Sequence, residues 1–171
     1  MKTGRFPSLR KPSLRLYREI DFETLYAIDQ ICYAPGIAYT RPELRWYLRL
    51  PGAECVVAER RANETTRRSR IAGFIVTTCR MIHGHIITID VVEMFRRSGI
   101  GSTLLRRAES RIKKRGIAEV WLETATNNDA AIAFWKKHGY RNRGLLPNYY
   151  PGGLAAFVMS KTIGARIAEE K

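Results

Sequence analysis

Cysteine is sparse in this chain: only Cys32, Cys55 and Cys79, an odd number, far apart and without a C-x-x-C pair. A disulfide framework is therefore not expected, and the three thiols read as reduced and inside the core. No His, Cys or carboxylate cluster has ligand spacing, so no metal is expected. No apolar run approaches the ~20 residues that span a bilayer. The N-terminus is charged but has no apolar stretch of the secretory kind. These absences give the expectation of a cytoplasmic protein with no membrane partner.

Acidic residues are also few. Sixteen Asp and Glu face thirty Lys and Arg, for a net charge of +14 over 171 residues. Such a field attracts polyanions: nucleic acid, ribosomes or a phosphorylated cofactor. The charges are spread along the chain, however, and no aromatic-interleaved RNA-binding signature accompanies them. A solvated basic surface with no particular partner is an equal reading.

What is present is an ordinary globular composition, 45% hydrophobic, in a chain long enough for one domain. Residues 1–13, basic and carrying Pro7 and Pro12, read as a loose tail, 14–163 as one domain, and 164–171 as a second tail. Leu14 to Tyr17 alternates like a strand. Asp21 is placed to cap a helix with Phe22, Leu25, Ile28, Ile31 and Cys32 on one face. After a loop from Tyr33 to Thr40, Leu44, Tyr47, Leu48 and Trp46 suggest a second helix, ended by Pro51-Gly52. Two β-rich runs, Cys55 to Ala58 and Ile71 to Thr78, flank the polar stretch Arg60 to Arg70, which reads as an exposed hairpin loop. His85 to Val92 is a third strand. From Ile100 the period becomes helical, with Ile100, Leu104, Leu105, Ala108 and Ile112 opposite Arg106, Arg107, Lys113 and Lys114. Ala118 to Thr124 reads as a strand. Asn127 or Asn128 can cap a helix that runs to His138, with Gly139 as its stop. Tyr140 to Leu145 and Leu154 to Met159 close the chain as strands. The order β-α-α-β-β-β-α-β-α-β-β predicts an α/β domain, a mixed sheet covered by helices.

One segment carries chemistry. A strand, then Arg96-Arg97-Ser98-Gly99-Ile100-Gly101, then a helix is what a pyrophosphate needs. Glycines admit the ligand to the main chain, N–H groups point inward, and the helix N-terminus adds positive potential. Glycines before a helix are also simple caps. No G-K-[ST] follows and no first-strand G-x-G-x-x-G precedes, which disfavours P-loop and Rossmann sites.

The turn, together with Trp121-Leu122-Glu123, Asn128 to Tyr140 and Asn148-Tyr149-Tyr150-Pro151, resembles the GNAT acetyltransferase superfamily from about Tyr17 to Ile163. Arg96, Gly99 and Gly101 satisfy the family's [QR]-x-x-G-x-[GA] pattern. The similarity is greatest to protein N-terminal acetyltransferases of the ribosomal-protein-alanine and archaeal types. It implies a mostly antiparallel mixed sheet of about seven strands with four helices, and acetyl-CoA as cosubstrate. It further implies that the main chain of Ile89, Asp90 and Val91, in a strand broken by a bulge, holds the pantetheine arm. A Val91 N–H would polarise the acyl oxygen, and Arg97 to Ser102 would wrap the diphosphate. Asn128 would reach the cofactor arm, cap its helix, or both.

On the same resemblance Glu123 would be the general base. His85 is a second candidate, and a water held between the two would be a workable proton acceptor. Trp135 stands where the family usually has a tyrosine that protonates the departing thiolate, and an indole cannot act as that acid. His138 reads as a favourable helix-dipole contact. Tyr149 and Tyr150 would bind the main chain of a substrate N-terminus, with Tyr33 to Tyr39 as the opposite wall. The implied acceptor is a protein or peptide α-amine. A lysine or small-molecule amine is the alternative, and a non-catalytic RNA- or ribosome-binding module a third.

Overall fold

Alternation fixes which strand residues face which helices. In β2 (Ala53–Arg61), Val56 and Ala58 point to one side of the sheet and Cys55 and Val57 to the other, all nearly inaccessible. Both faces must therefore be covered. The structure, a computed structural model, describes residues 11–61 and 69–164. It contains β1 (Ser13–Leu16), α1 (Phe22–Cys32), α2 (Arg41–Arg49), β2, β3 (Ser69–Arg80) and β4 (His83–Val91). The second half of the chain adds α3 (Ile100–Lys114), β5 (Glu119–Ala125), α4 (Asp129–Lys137), β6 (Arg141–Leu146) and β7 (Ala156–Thr162). The seven strands form one sheet in the order β1-β2-β3-β4-β5-β7-β6. Every neighbouring pair is antiparallel except β4 and β5.

One face packs on α3. Its stripe of Ile100, Leu104, Leu105, Ala108 and Ile112 is at most 2% exposed and meets Val56, Ala58, Ile75, Ile86, Val120 and Leu122. Each large side chain so buried contributes about 1.5–3 kcal/mol, so truncating Leu104 to Ala would cost about 2–5 kcal/mol. The other face packs on α1, where Leu25 and Ile28 meet Cys55, Val57, Phe74 and Val76. Among the described residues no helix is long and apolar enough to cross a membrane.

The expected element order is the observed one, with several local corrections. Arg60, Arg61, Ser69 and Arg70 are not loop. Arg60 pairs with Arg70 and Arg61 with Ser69, because ladder hydrogen bonds need no apolar side chain. The rest of that stretch, 62–68, lies outside the described residues, as do 1–10 and 165–171 of the two tails. β1 begins at Ser13, inside the expected tail. Asp21 does not cap α1 with its side chain. Its carboxylate instead takes the Arg15 guanidinium, at 2.6 and 2.9 Å, and the Arg18 N–H at 2.8 Å. Ile31 is 72% exposed and Trp46 58%, so neither belongs to the buried face of its helix. Of the cysteines only Cys55 is fully buried; all three are free thiols.

Candidate active site

β4 and β5 pair only where His83, Gly84 and His85 face Glu119, Val120 and Trp121. Beyond that point β5 stays with β7 and β4 with β3, so a gap opens between them. Among the described residues the edge of β4 along this gap has no partner strand, and its carbonyls meet side chains instead, with Tyr33 Oη 3.5 Å from Ile89 O. Val92 N–H donates to Ala72 O at 2.9 Å. Strand alternation therefore turns the preceding Val91 N–H to the opposite edge, into the gap. The expected bulge lies upstream of Ile89 to Val91, at Ile87: Val76 faces Thr88 while Thr77 faces Ile86. Ile87 O is then free to accept from Tyr39 Oη at 3.2 Å. Gly73 lets β3 pass this segment, since a Cβ there would lie 2.4 Å from Asp90 O.

The turn after β4 contains two residues in the left-handed region. Phe95 anchors it in the core, Arg97 has φ 59° and Gly99 has φ 86°. Positive φ at a non-glycine is costly and marks a constrained site. Among the described residues the main-chain N–H groups of Arg97, Ser98, Gly99, Ile100, Gly101 and Ser102 donate to no main-chain acceptor, and the first bond of α3 is Thr103 N–H to Gly99 O at 3.0 Å. Consecutive open amides at the start of a helix form an anion-binding concavity. The residues present thus suit a diphosphate. Arg96 is turned away from the turn and braces it: Nε donates to Val91 O at 3.0 Å and Nη2 reaches Cys32 Sγ at 3.6 Å. His138 is not the dipole contact expected. Its Nε2 lies 2.9 Å from Ser102 Oγ, tying α4 to α3, and burial lowers its pKa, which disfavours the charged form that a dipole contact needs.

At the closed end of the gap, His85 Nε2 lies 2.6 Å from Glu123 Oε2. The expected water between them has no room; the contact is direct. The Glu123 side chain is 20% exposed and that of His85 36%. Tyrosines ring the pair. Burial first, and the nearby Glu123 charge in addition, push Tyr149 and Tyr150 up to about 12 and also raise Tyr47. The rings of Tyr149 and Tyr150 meet edge to face at 4.9 Å, and those of Tyr39 and Tyr47 lie 4.8 Å apart. Tyr150 N–H to Leu154 O, at 2.9 Å, closes the loop that presents the first two.

Below this wall lies a buried acidic layer. Tyr33 Oη is 3.0 Å from Thr88 Oγ1, which donates to Asp90 Oδ2 at 3.1 Å. Asp29 Oδ2 accepts the Tyr39 N–H at 2.8 Å and so pins the loop carrying both tyrosines. Asp90 and Asp29 are 1% and 0% exposed, and among the described residues the Oδ1 of each has no partner. Burial pushes Asp90 up to about 8, with the Asp29 charge adding to it, and Asp29 to about 6. The Asp90 side chain thus faces α1, and only its main chain borders the gap.

The remaining expected residues divide. Asn128 caps α4, its Oδ1 accepting Ala131 N–H at 3.0 Å. Trp135 is 5% exposed and packs edge to face on Phe134 and Tyr140, as core. Among the described residues no three His, Cys, Asp or Glu side chains converge as metal ligands. Sequence reasoning missed Tyr47, read as helix core, and Asp29 and Thr88, which give no signal of their own.

A sequence model described as the acetyltransferase (GNAT) family matches residues 10–140. The ribosomal protein bS18-alanine N-acetyltransferase of Escherichia coli strain K12 is 33% identical over 88 residues, 52% of this chain and 60% of that protein. An N-alpha-acetyltransferase of Sulfolobus acidocaldarius is 40% identical over 78 residues, 45% of this chain and 46% of that one. The chain thus spans between 46% and 60% of the length of these curated relatives. Among solved structures, Ard1 from Thermoplasma volcanium superposes with a TM-score of 0.79 at 28% identity, covering 91% of this chain and 100% of that one. The Escherichia coli ribosomal-protein-S18-alanine N-acetyltransferase gives 0.78 at 23% identity, over 94% of this chain and 99% of that one, a likeness of fold.

Proposed function

The chain belongs to the acetyltransferase (GNAT) family, and on that premise we propose that it moves an acetyl group from acetyl-CoA directly to the α-amine of a protein N-terminus. The observation that carries the reading is the run of open amides from Arg97 to Ser102 leading into a gap that ends at His85 and Glu123.

Bound acetyl-CoA would supply an activated acyl thioester. The Arg97 to Ser102 amides would hold its diphosphate, and the main chain of Ile89 to Val91, on the edge of β4 without a partner strand, would align its amide arm. Val91 N–H is directed to donate to an oxygen gaining negative charge in the gap, a contribution of about 3 kcal/mol to barrier lowering. Glu123 accepts the proton that the amine must lose, and its hydrogen bond to His85 Nε2 fixes the carboxylate and offers the proton an onward path. An α-amine, with a reference pKa of about 7.7–8.0, suits so mild a base better than a lysine near ~10.4. Trp135 donates no acidic proton; a departing thiol of pKa near ~8.5 is a tolerable leaving group without one.

For the acceptor, Tyr149 and Tyr150 on one side and Tyr33 to Tyr39 on the other make a slot that suits an extended chain end. The activities for which the bacterial and archaeal relatives are named point to the same class. The test is a peptide panel varying the first two residues, with a free lysine derivative and a small amine as competitors, assayed by mass spectrometry. Acetylation at the peptide α-nitrogen supports the reading. Acetylation only of the lysine or the small amine replaces it.

A further inference from the structure

The arginines of α3 and its C-cap fall into two sets. Arg111, near the end of the helix, and the capping Arg115 reach the carboxylate of Glu54 in β2. Arg106 and Arg107, a turn or more earlier, are exposed, and among the described residues no carboxylate lies within ion-pair distance of either. They border an open groove of about 460 Å³ between α3 and the β1–β2 edge, whose other walls include Lys11, Arg60, Ser98 and Thr103.

Arg60 is the unusual member. It continues the β2 row of Val56 and Ala58 on the α3 face, where an apolar residue would be ordinary. It is only 7% exposed, with its guanidinium 6.0 Å from the Phe95 ring centroid. The neighbouring acid, Glu59, is taken by Arg15. Burying a cation without an anion is unfavourable unless an anion is supplied. Four cations and two hydroxyl residues thus line a groove to which, among the described residues, no acid contributes.

We propose that this groove binds the phosphate backbone of RNA. Guanidinium forks match phosphate oxygens in pairs, and arginine outnumbers lysine in this chain. A net charge of +14 draws most strongly on a polymer of high linear charge density. The groove lies on the α3 face, whereas Glu123, Tyr33 and Tyr47 lie on the face covered by α1 and α2. RNA docked here leaves the acceptor slot open and does not depend on the acetyl-transfer reading.

The experiment is fluorescence anisotropy of a short labelled RNA against the full chain, across a salt series. Variants are Arg106→Ala/Arg107→Ala, Arg60→Met, and the control Arg80→Ala/Arg141→Ala, with the same charge change at exposed sites elsewhere. The groove pair is expected to lose about tenfold in affinity, with the salt slope reduced by about 1.4, two single-strand phosphate contacts. Arg60→Met should weaken RNA binding without lowering the melting temperature. An equal loss in the control overturns the proposal, as does full RNA affinity in Arg60→Met with a lowered melting temperature. Binding of poly-glutamate as tightly as RNA would assign the groove to an acidic protein instead. Displacement of RNA by CoA, or loss of CoA affinity in the groove pair, would make it part of the cofactor site and end the proposal.

Discussion

His85 Nε2 and Glu123 Oε2 are 2.6 Å apart, although one residue belongs to β4 and the other to β5. The contact sits where the two strands stop pairing, so it closes the gap at the place where an amine and an acyl group would meet. On the proposed mechanism the two side chains act as one unit. Glu123→Gln, which keeps the shape and removes the basic oxygen, should lower kcat by about a hundredfold or more. His85→Gln should cost less, and the double variant should cost little more than Glu123→Gln alone, since groups acting together are not additive. Steady-state kinetics on the four proteins checks this, and full additivity would separate the two roles.

Gly99 is the left-handed start of α3, and a Cβ there would meet nothing within 4 Å. Gly99→Ala therefore strains the main chain without a clash, at about 1–2 kcal/mol. Part of that strain is relieved by tilting the turn's amides out of line. The melting temperature should drop modestly, while the KM for acetyl-CoA rises by a larger factor than kcat falls. Unchanged KM would dissociate the turn from the cofactor.

Tyr149 and Tyr150 lie near enough to Glu123 for its charge to add to the burial that raises both phenols. Replacing both with Phe keeps the edge-to-face packing and removes the hydrogen bonds available to a peptide main chain. The KM for a peptide acceptor should rise about fivefold, two lost neutral hydrogen bonds at the lower end of their range, with the KM for acetyl-CoA unaffected. Turnover of the true substrate left intact would favour a small-molecule or lysine acceptor.

Asp90 and Asp29 make stability depend on pH. Both are raised, to about 8 and about 6, from an ordinary value of 3.8. Between pH 4 and pH 8 the folded chain thus keeps protons that the unfolded chain has released. The slope of unfolding free energy with pH is negative in that window, so their contribution is greatest at its acid end and is lost as pH rises through 8. The groups facing Asp90 are Asp29 and Tyr33 from α1 and the residue after it, Thr88 from β4, and Cys32 and Arg96 at the rim. Asp90→Asn carries no such proton, and its melting temperature should vary less than that of the parent between about pH 6 and pH 8. Parallel curves would show Asp90 to be an ordinary carboxylate.

Features that depend on neighbours in sequence could be read ahead of the structure. The α3 stripe repeats with helical period, Asn128 caps the helix it precedes, and the turn announces itself by its glycines. Features that depend on strands and helices meeting could not. The gap exists because β5 runs with β7 away from β4 after Trp121, and nothing local in Leu122 to Ala125 records that. Tyr47 reaches the slot from α2, yet its spacing marks it only as helix face. Asp29 is an acid on a helix, which reads as solvated, and is wholly buried because the Tyr39 amide needs an acceptor there. Arg60 looked like loop since its charge hid the strand alternation that puts it inside.

The most direct measurement is titration calorimetry of the purified chain with CoA and, separately, with pantetheine, which has the thiol arm but no diphosphate. A single site for CoA, with pantetheine bound far more weakly, is the predicted result, because on the proposed reading the open amides from Arg97 to Ser102 would grip only the diphosphate. Absence of heat with CoA, or equal affinity for the two, would contradict it.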